Sequence, residues 1–216
     1  MLLAFLASCS GLAGDRSGGR YTAPGDLFSL PFPRLSLGST VEDQSGMNPD
    51  TKLAAGMVSF HDDFGSLRVI QYEQVPPDVG QGLSDPTIAS GAMRGSLHDL
   101  ILPGIQQFSP ATRVLHEESV ALADGHTAWF AVLEIPEGSP TKEISAEHPE
   151  GRRLDSTRGF LLLCRRDGLC LTLSAANDKV LAHVLPGAAP SGGASPVEID
   201  ELKNTLTELY SSMSFE

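Results

Sequence analysis

Positive charge is scarce in this 216-residue chain: 15 Lys and Arg stand against 27 Asp and Glu, a net charge of −12. The few cations are scattered, so no basic run is available to follow a phosphate backbone, and nucleic acid drops out as a partner. The same balance disfavours adhesion of the body to anionic lipid, so membrane attachment has to come from an anchor. No run of 18 apolar residues occurs, the length a spanning helix needs. Neither GxxxxGK[ST] nor GxGxxG is present, so nucleotide binding has no support in sequence. Cysteine is rare as well: the three are Cys9, Cys164 and Cys170. What is abundant is glycine (22) and proline (15), which predicts long loops, on an apolar content of 41% that suits a globular domain.

Residues 1–7 read MLLAFLA, an apolar stretch of about the shortest length a secretory signal uses. No Lys or Arg precedes it, which fits a start that lies further upstream. The stretch closes on Leu6-Ala7-Ser8-Cys9. That tetrapeptide resembles the bacterial lipoprotein cleavage box, an aliphatic residue and two small ones before the lipid-bearing cysteine. The resemblance implies cleavage before Cys9 and acylation of its thiol and amine. Residues 10–19, SGLAGDRSGG, hold four Gly and two Ser. Such a composition predicts a flexible tether with an r.m.s. span of about 18 Å. Ser10 stands where an Asp would favour retention in an inner membrane, so the resemblance points to the outer membrane.

Further along, Phe28, Leu30 and Phe32 alternate with polar or proline positions and predict a short strand, confined to an edge by Pro31 and Pro33. Residues 57–61 and 67–75 read as strands around Asp62-Asp63-Phe64-Gly65, and Pro76-Pro77 ends the second. Asp85-Pro86 opens a helix carrying Ile88, Met93, Leu97, Leu100 and Ile101, with Pro103-Gly104 as its stop. Residues 112–122 and 126–135 form a hairpin around Ala123-Asp124-Gly125, followed by a long polar loop over 136–157. Residues 159–164 and 169–174 form the next hairpin around Arg166-Asp167-Gly168. After a flexible loop at 186–195, Ser195-Pro196-Val197-Glu198 reads as a capping box. The last helix follows, 196–212, with Ile199, Leu202, Leu206, Leu209 and Met213 on one face.

This order predicts an α+β fold: a mainly antiparallel sheet built from consecutive hairpins, with helices packed on it. The opening Tyr21-Thr22-Ala23-Pro24 to Pro31 segment, the Asp124-Gly125 hairpin and the closing Ser212-Met213-Ser214-Phe215 together resemble the PsbP-like family of α/β sandwiches. That resemblance implies an accessory or assembly role more than an enzymatic one. The expected organisation is a signal-peptide remnant at 1–8, a lipidated Cys9 and flexible tether at 9–20, and one globular domain at 21–216.

Residues of catalytic type are present without a motif. His61-Asp62-Asp63 offers ligand atoms, but a metal needs three or four convergent groups, and a solvated turn is the reading preferred here. His116-Glu117-Glu118 lies in a strand, where neighbours point to opposite faces. Residues 91–96, GAMRGS, do not match the G-x-S-x-G nucleophile turn. Trp129, mid-strand between Thr127 and Ala131, reads as a core residue. We therefore expect no catalytic residue, metal or cofactor.

Cys164 and Cys170 are the thiols left once Cys9 carries lipid, and an exported domain meets an oxidising compartment in many bacteria. A three-residue loop, Arg166-Asp167-Gly168, places Arg165 opposite Leu169 and Cys164 opposite Cys170, a non-hydrogen-bonded pair with α-carbons about 4.5 Å apart. The same register pairs Leu163 with Leu171 and Leu161 with Leu173. A two-residue loop would put the cysteines on opposite faces. The expectation is a structural disulfide; the alternative is two free, small core side chains. For function, the expectation is a membrane-anchored envelope lipoprotein with a binding or scaffolding role toward an envelope protein. The alternative is a tethered hydrolase with a dispersed site.

Overall fold

The computed structural model describes residues 14–33, 40–47, 51–61, 66–139, 142–143, 149–177 and 196–215. Its centre is a seven-stranded antiparallel sheet. The strands are β3 (Thr40–Met47), β4 (Ala54–His61), β5 (Ser66–Gln74), β6 (Arg113–Ala121), β7 (Thr127–Ile135), β10 (Ser156–Cys164) and β11 (Leu169–Asn177). They lie in the order β3-β4-β5-β11-β10-β7-β6. A separate ribbon pairs β1 (Arg20–Thr22) with β2 (Ser29–Pro31). The polar loop after β7 contains a second small pair, β8 (Lys142–Glu143) with β9 (Arg152–Arg153).

The connection from β5 to β6 crosses one face of the sheet as α1 (Pro77–Leu83), α2 (Pro86–Ser96), a single π turn (Leu97–Ile101) and α3 (Leu102–Gln106). Met93 and Leu97 from this layer pack on Ala131, Leu133, Phe160 and Leu162. On the other face, α4 (Pro196–Ser211) lays Leu202, Leu206, Leu209 and Tyr210 over Leu161, Leu163 and Leu173. Beside it the ribbon contributes Tyr21, Phe28 and Leu30, all fully buried, with Tyr21 edge-on to Phe60 and Phe28 edge-on to Tyr72. Successive β10 side chains alternate between the two cores, and both faces of that strand are covered, so it reads as an unbroken apolar run. This is the α+β sandwich that the hairpin order predicts, and the last helix buries the face expected of it.

The first helix differs from its expectation. Asp85 caps it as read, accepting from the Thr87 backbone N–H at 2.8 Å. Pro103 does not stop it. The π turn, in which Leu102 N–H reaches the Leu97 carbonyl, widens the coil just before Pro103 and supplies a new first turn where a missing N–H is tolerated. Ile88 and Leu100 face solvent, and the buried stripe is Ala89, Met93 and Leu97. Pro76-Pro77 does close β5, which ends at Gln74, and Pro77 also starts α1.

The segment expected to be a tether is described from residue 14 onward. Residues 14–19, read from composition as coil, engage the domain: Asp15 and Thr22 exchange backbone hydrogen bonds of 3.0 and 2.9 Å. Arg16 Nη1 donates to the Val41 carbonyl at 3.0 Å. Two of these contacts run backbone to backbone, which composition does not foretell, and the Arg16 guanidinium adds the third. The Asp62-Asp63-Phe64-Gly65 turn, Ser195 of the capping box and the loop 186–195 lie outside the described residues, as does Cys9.

Two hairpin turns share one geometry. Leu122 N–H bonds the His126 carbonyl and Gly125 N–H bonds the Leu122 carbonyl; Arg165 and Leu169, with Gly168, repeat the pattern. Both glycines take positive φ, +84° and +87°, which a side chain would strain. The second turn produces the register Cys164↔Cys170, Leu163↔Leu171 and Leu161↔Leu173. Cys164 and Cys170 are joined in a disulfide across it, their α-carbons 4.0 Å apart.

Candidate functional site

The twin Asp-Gly turns lie at the same end of the sheet, because β7 and β10 are antiparallel neighbours. The C-terminal end of α4 reaches them, and a polar hub forms there. Tyr210 Oη donates to Asp124 Oδ2 at 2.6 Å. The His126 backbone N–H donates to Asp124 Oδ1 at 3.1 Å, and His126 Nδ1 lies 3.0 Å from Asp124 Oδ2. Arg165 Nε donates to Asp167 Oδ2 at 3.0 Å and Nη1 donates to Tyr210 Oη at 3.3 Å. Its guanidinium also stacks 3.8 Å from the centre of the Phe215 ring.

The electrostatics follow from this packing. Burial opposes ionisation of Asp124, but the Tyr210 hydroxyl and the His126 groups outweigh it and hold the carboxyl below its ordinary range. Burial raises the Tyr210 phenol, and its bond to Asp124 raises it further. Burial works against the charge on Arg165, whose side chain is only 16% exposed. Tyr210 and Asp167 more than offset that, so the cation is retained. The hub can fix the ends of two hairpins and a helix; the Asp124 oxygens and the Arg165 guanidinium already have protein partners.

A second cluster lies under the ribbon. Asp43 Oδ2 accepts from Tyr21 Oη at 3.2 Å and from Gly14 N–H at 2.6 Å, and Ser45 Oγ donates to Asp43 Oδ1. Tyr72 points into the same space with no aligned hydrogen bond among the described residues. Burial pushes the Tyr72 phenol up to about 12 and raises Tyr21 as well. Gly56 floors the cluster: a Cβ there would lie 2.6 Å from Ser45 Oγ and 2.7 Å from Tyr72 Oη.

A third cluster joins α2 to the edge strand β6. Glu117 accepts from Arg94 Nε at 3.1 Å and pairs with His98 Nε2 at 2.8 Å. Burial opposes the charge of Glu117, and His98 and Arg94 overcome it, lowering its pKa. The π turn is what carries His98 over Glu117. Arg94 also lies 6.0 Å from the centre of the Trp129 ring.

The residues singled out in sequence fall into these places. His116 and Glu118 share one face and Glu117 points to the other, as strand alternation requires. Glu118 pairs with Lys203 of α4 at 3.0 Å. His61 lies 3.5 Å from Glu42, while Asp62 and Asp63 fall outside the described residues. Trp129, on β7, is partly buried against the helical layer, and its Nε1 has no aligned partner among the described residues. Residues 91–96 are helical, and Ser96 Oγ bonds back to the Ala92 carbonyl. Among the described residues no three His, Cys, Asp or Glu side chains converge on a metal position. No described helix is long and apolar enough to cross a membrane.

Sequence reading missed Arg165, Tyr210 and Asp43. The repeated turns Ala-Asp-Gly and Arg-Asp-Gly were a usable signal for the hub. No local signal links Tyr21 to Asp43 across the intervening chain. Comparison with known proteins adds nothing to these assignments: no family model matches the chain, and no curated protein matches it.

Proposed function

We propose that the chain is a membrane-anchored lipoprotein of the bacterial cell envelope, attached through Cys9, whose body binds or scaffolds an envelope protein. The outer membrane, periplasmic face, is the location the Leu6-Ala7-Ser8-Cys9 box and Ser10 favour. The observation that carries the binding role is the outer surface of the helical layer. Val79, Ile88 and Leu100 are exposed there, and Phe108, just past α3, is 90% exposed. Scattered exposed aliphatics are ordinary, but a phenylalanine presented almost fully to solvent at the end of the same helical segment is an anchor of the kind protein interfaces use. The polar clusters support the same reading, since their charged groups are engaged with one another. The sandwich layout also agrees with the accessory role that a PsbP-like resemblance implies.

The second reading is a tethered hydrolase. It draws on the Asp124–His126 pair, whose side chains approach to 3.0 Å, with His126 Nδ1 not aligned for a hydrogen bond. That pair needs a nucleophile within reach of His126. The experiment that separates the two readings is photo-crosslinking in the native envelope from position 108 and, as a control, from exposed Glu201 on α4. One specific protein captured at 108 and absent at 201 supports the binding role. Identical background from both positions, together with active-site-directed labelling that Asp124→Ala abolishes, supports the hydrolase.

A further inference from the structure

The beginning of the described chain is fastened to the domain more firmly than a tether needs. Gly14 N–H donates to Asp43 Oδ2 at 2.6 Å, inside the cluster that Tyr21 and Ser45 complete. Gly14 is pressed against the Tyr21 ring: a Cβ there would stand 2.5 Å from Tyr21 Cε2 and 2.6 Å from the Thr22 carbonyl oxygen. The next residues continue the fastening through the Asp15–Thr22 bridge, the Arg16 contact to the Val41 carbonyl, and Phe32 N–H bonded to the Gly19 carbonyl. Residues 14–22 therefore form a strap across the β3 side of the sandwich.

The strap sets a length. Four residues, 10–13, lie between Cys9 and Gly14, so the two α-carbons are five steps and at most about 18 Å apart. A domain of about 200 residues has a radius of gyration of about 16 Å and a width of about 40 Å. An anchor held so close to one side is shorter than half the body. The far pole cannot turn to the bilayer. A free coil through Gly19 would more than double the reach and remove that restriction.

We propose that the strap orients the domain, presenting the β1–β2 ribbon and the β3 edge to a phospholipid surface and the helical layer with Phe108 away from it. This rests on Cys9 being the anchor point. Geometry supplies the separation: β3 and β6 are the two edges of a seven-stranded sheet, so about 29 Å of strand spacing lies between them. Phe108 lies at the β6 end, in the turn that leads to Thr112 and β6. The orientation needs no attraction between the acidic body and lipid. It leaves the exposed apolar side chains of the helical layer accessible to a protein partner.

The test couples the Cys9 thiol of the full chain to a maleimide lipid in vesicles of phosphatidylethanolamine and phosphatidylglycerol. The readout is then independent of whether the cell acylates that thiol, which envelope fractionation of Cys9→Ala decides separately. A fluorescent amino acid replaces Gln44 on β3 or Phe108, and a headgroup-bound nitroxide quenches it. Quenching several-fold stronger at 44 than at 108 is expected. Inserting ten Gly/Ser residues between Cys9 and Gly14, which leaves the domain untouched, should erase the contrast, and Gly14→Val should weaken it by expelling the strap. Equal quenching at the two positions without the insertion overturns the proposal. So does exchange of the Gly14 and Thr22 amide hydrogens at unfolded-chain rates in Cys9→Ala protein, because the strap is then not docked.

Discussion

Asp43 and Asp124 each gather a tyrosine hydroxyl and a backbone N–H around one carboxylate, yet the two clusters are built differently. Under the ribbon, the donors to Asp43 among the described residues are neutral: Tyr21, Ser45 and the Gly14 amide. At the hairpin end, Asp124 has Arg165 and His126 beside it, and Arg165 is itself flanked by Asp167 and Phe215. The ribbon cluster lies among Tyr21, Phe28, Phe60 and Tyr72, where an added cation would have to give up its water. The hub sits at the rim, where the Asp124 and Asp167 side chains remain more than a third exposed and solvation is not wholly lost. Burial decides which chemistry a carboxylate can recruit: hydroxyls and amides inside, charged pairs at the edge.

The largest effect comes from removing what brings Tyr210 to Asp124. Leu206 is fully buried, and Gly159 of β10 leaves room for it: a Cβ there would be 3.1 Å from Leu206 Cδ1. Leu206→Ala should lower stability by about 2–5 kcal/mol in denaturant unfolding. It should also loosen the hub more than the ribbon cluster, visible as faster amide exchange at His126 than at Thr22. Replacing both Cys164 and Cys170 by Ala comes next. The loop they close is short, so the loss should fall near the lower end of the usual range, about 2 kcal/mol. Thiol titration of denatured, unreduced protein checks the bond itself and should find neither cysteine reactive.

A matched pair of tyrosine changes sharpens the comparison. Tyr210→Phe removes a buried donor from a charged acceptor and should cost about 1–3 kcal/mol. Tyr72→Phe removes a buried hydroxyl that has no aligned bond among the described residues, and should leave stability unchanged or raise it. Equal losses would mean that the two clusters hold their phenols alike.

How far the sequence foretold this architecture depends on whether a signal was local. The Arg166-Asp167-Gly168 turn and the leucine spacing on either side were enough to set the Cys164↔Cys170 register, because turn type and period-two burial both act over a few residues. α4 was legible from its one apolar face. β3 was not: only Val41 and Met47 are large and apolar in TVEDQSGM, since an edge strand is only half covered. The end of α2 was misread because Pro103 signals a stop until a π turn, which tertiary packing selects, makes room for it. Asp43 and Tyr210 had no local signal at all. The Tyr21–Asp43 and Tyr210–Asp124 bonds span 22 and 86 positions, and only the packed fold brings those partners together.

The smallest expected effect concerns acid. The Asp124 carboxyl lies lower in the folded protein than its unfolded value of about 3.9, so it stabilises the fold at pH above that value. The contribution is lost as pH falls through the folded value. Asp124→Asn should therefore flatten the acid limb of the stability curve below about pH 4 and leave its slope near neutrality unchanged. A flattened slope at neutral pH instead would contradict the assignment of this limb to Asp124.

Everything said of anchoring depends on one atom, the sulfur of Cys9. Intact-mass analysis of the protein made with its complete signal and purified from the cell envelope tests it directly. The account predicts a mature chain beginning at Cys9 that carries diacylglycerol on the thiol and a further acyl group on the amine, since two or more acyl chains anchor stably where one does not. A chain that retains residues 1–8, or a Cys9 with an unmodified thiol, would contradict it.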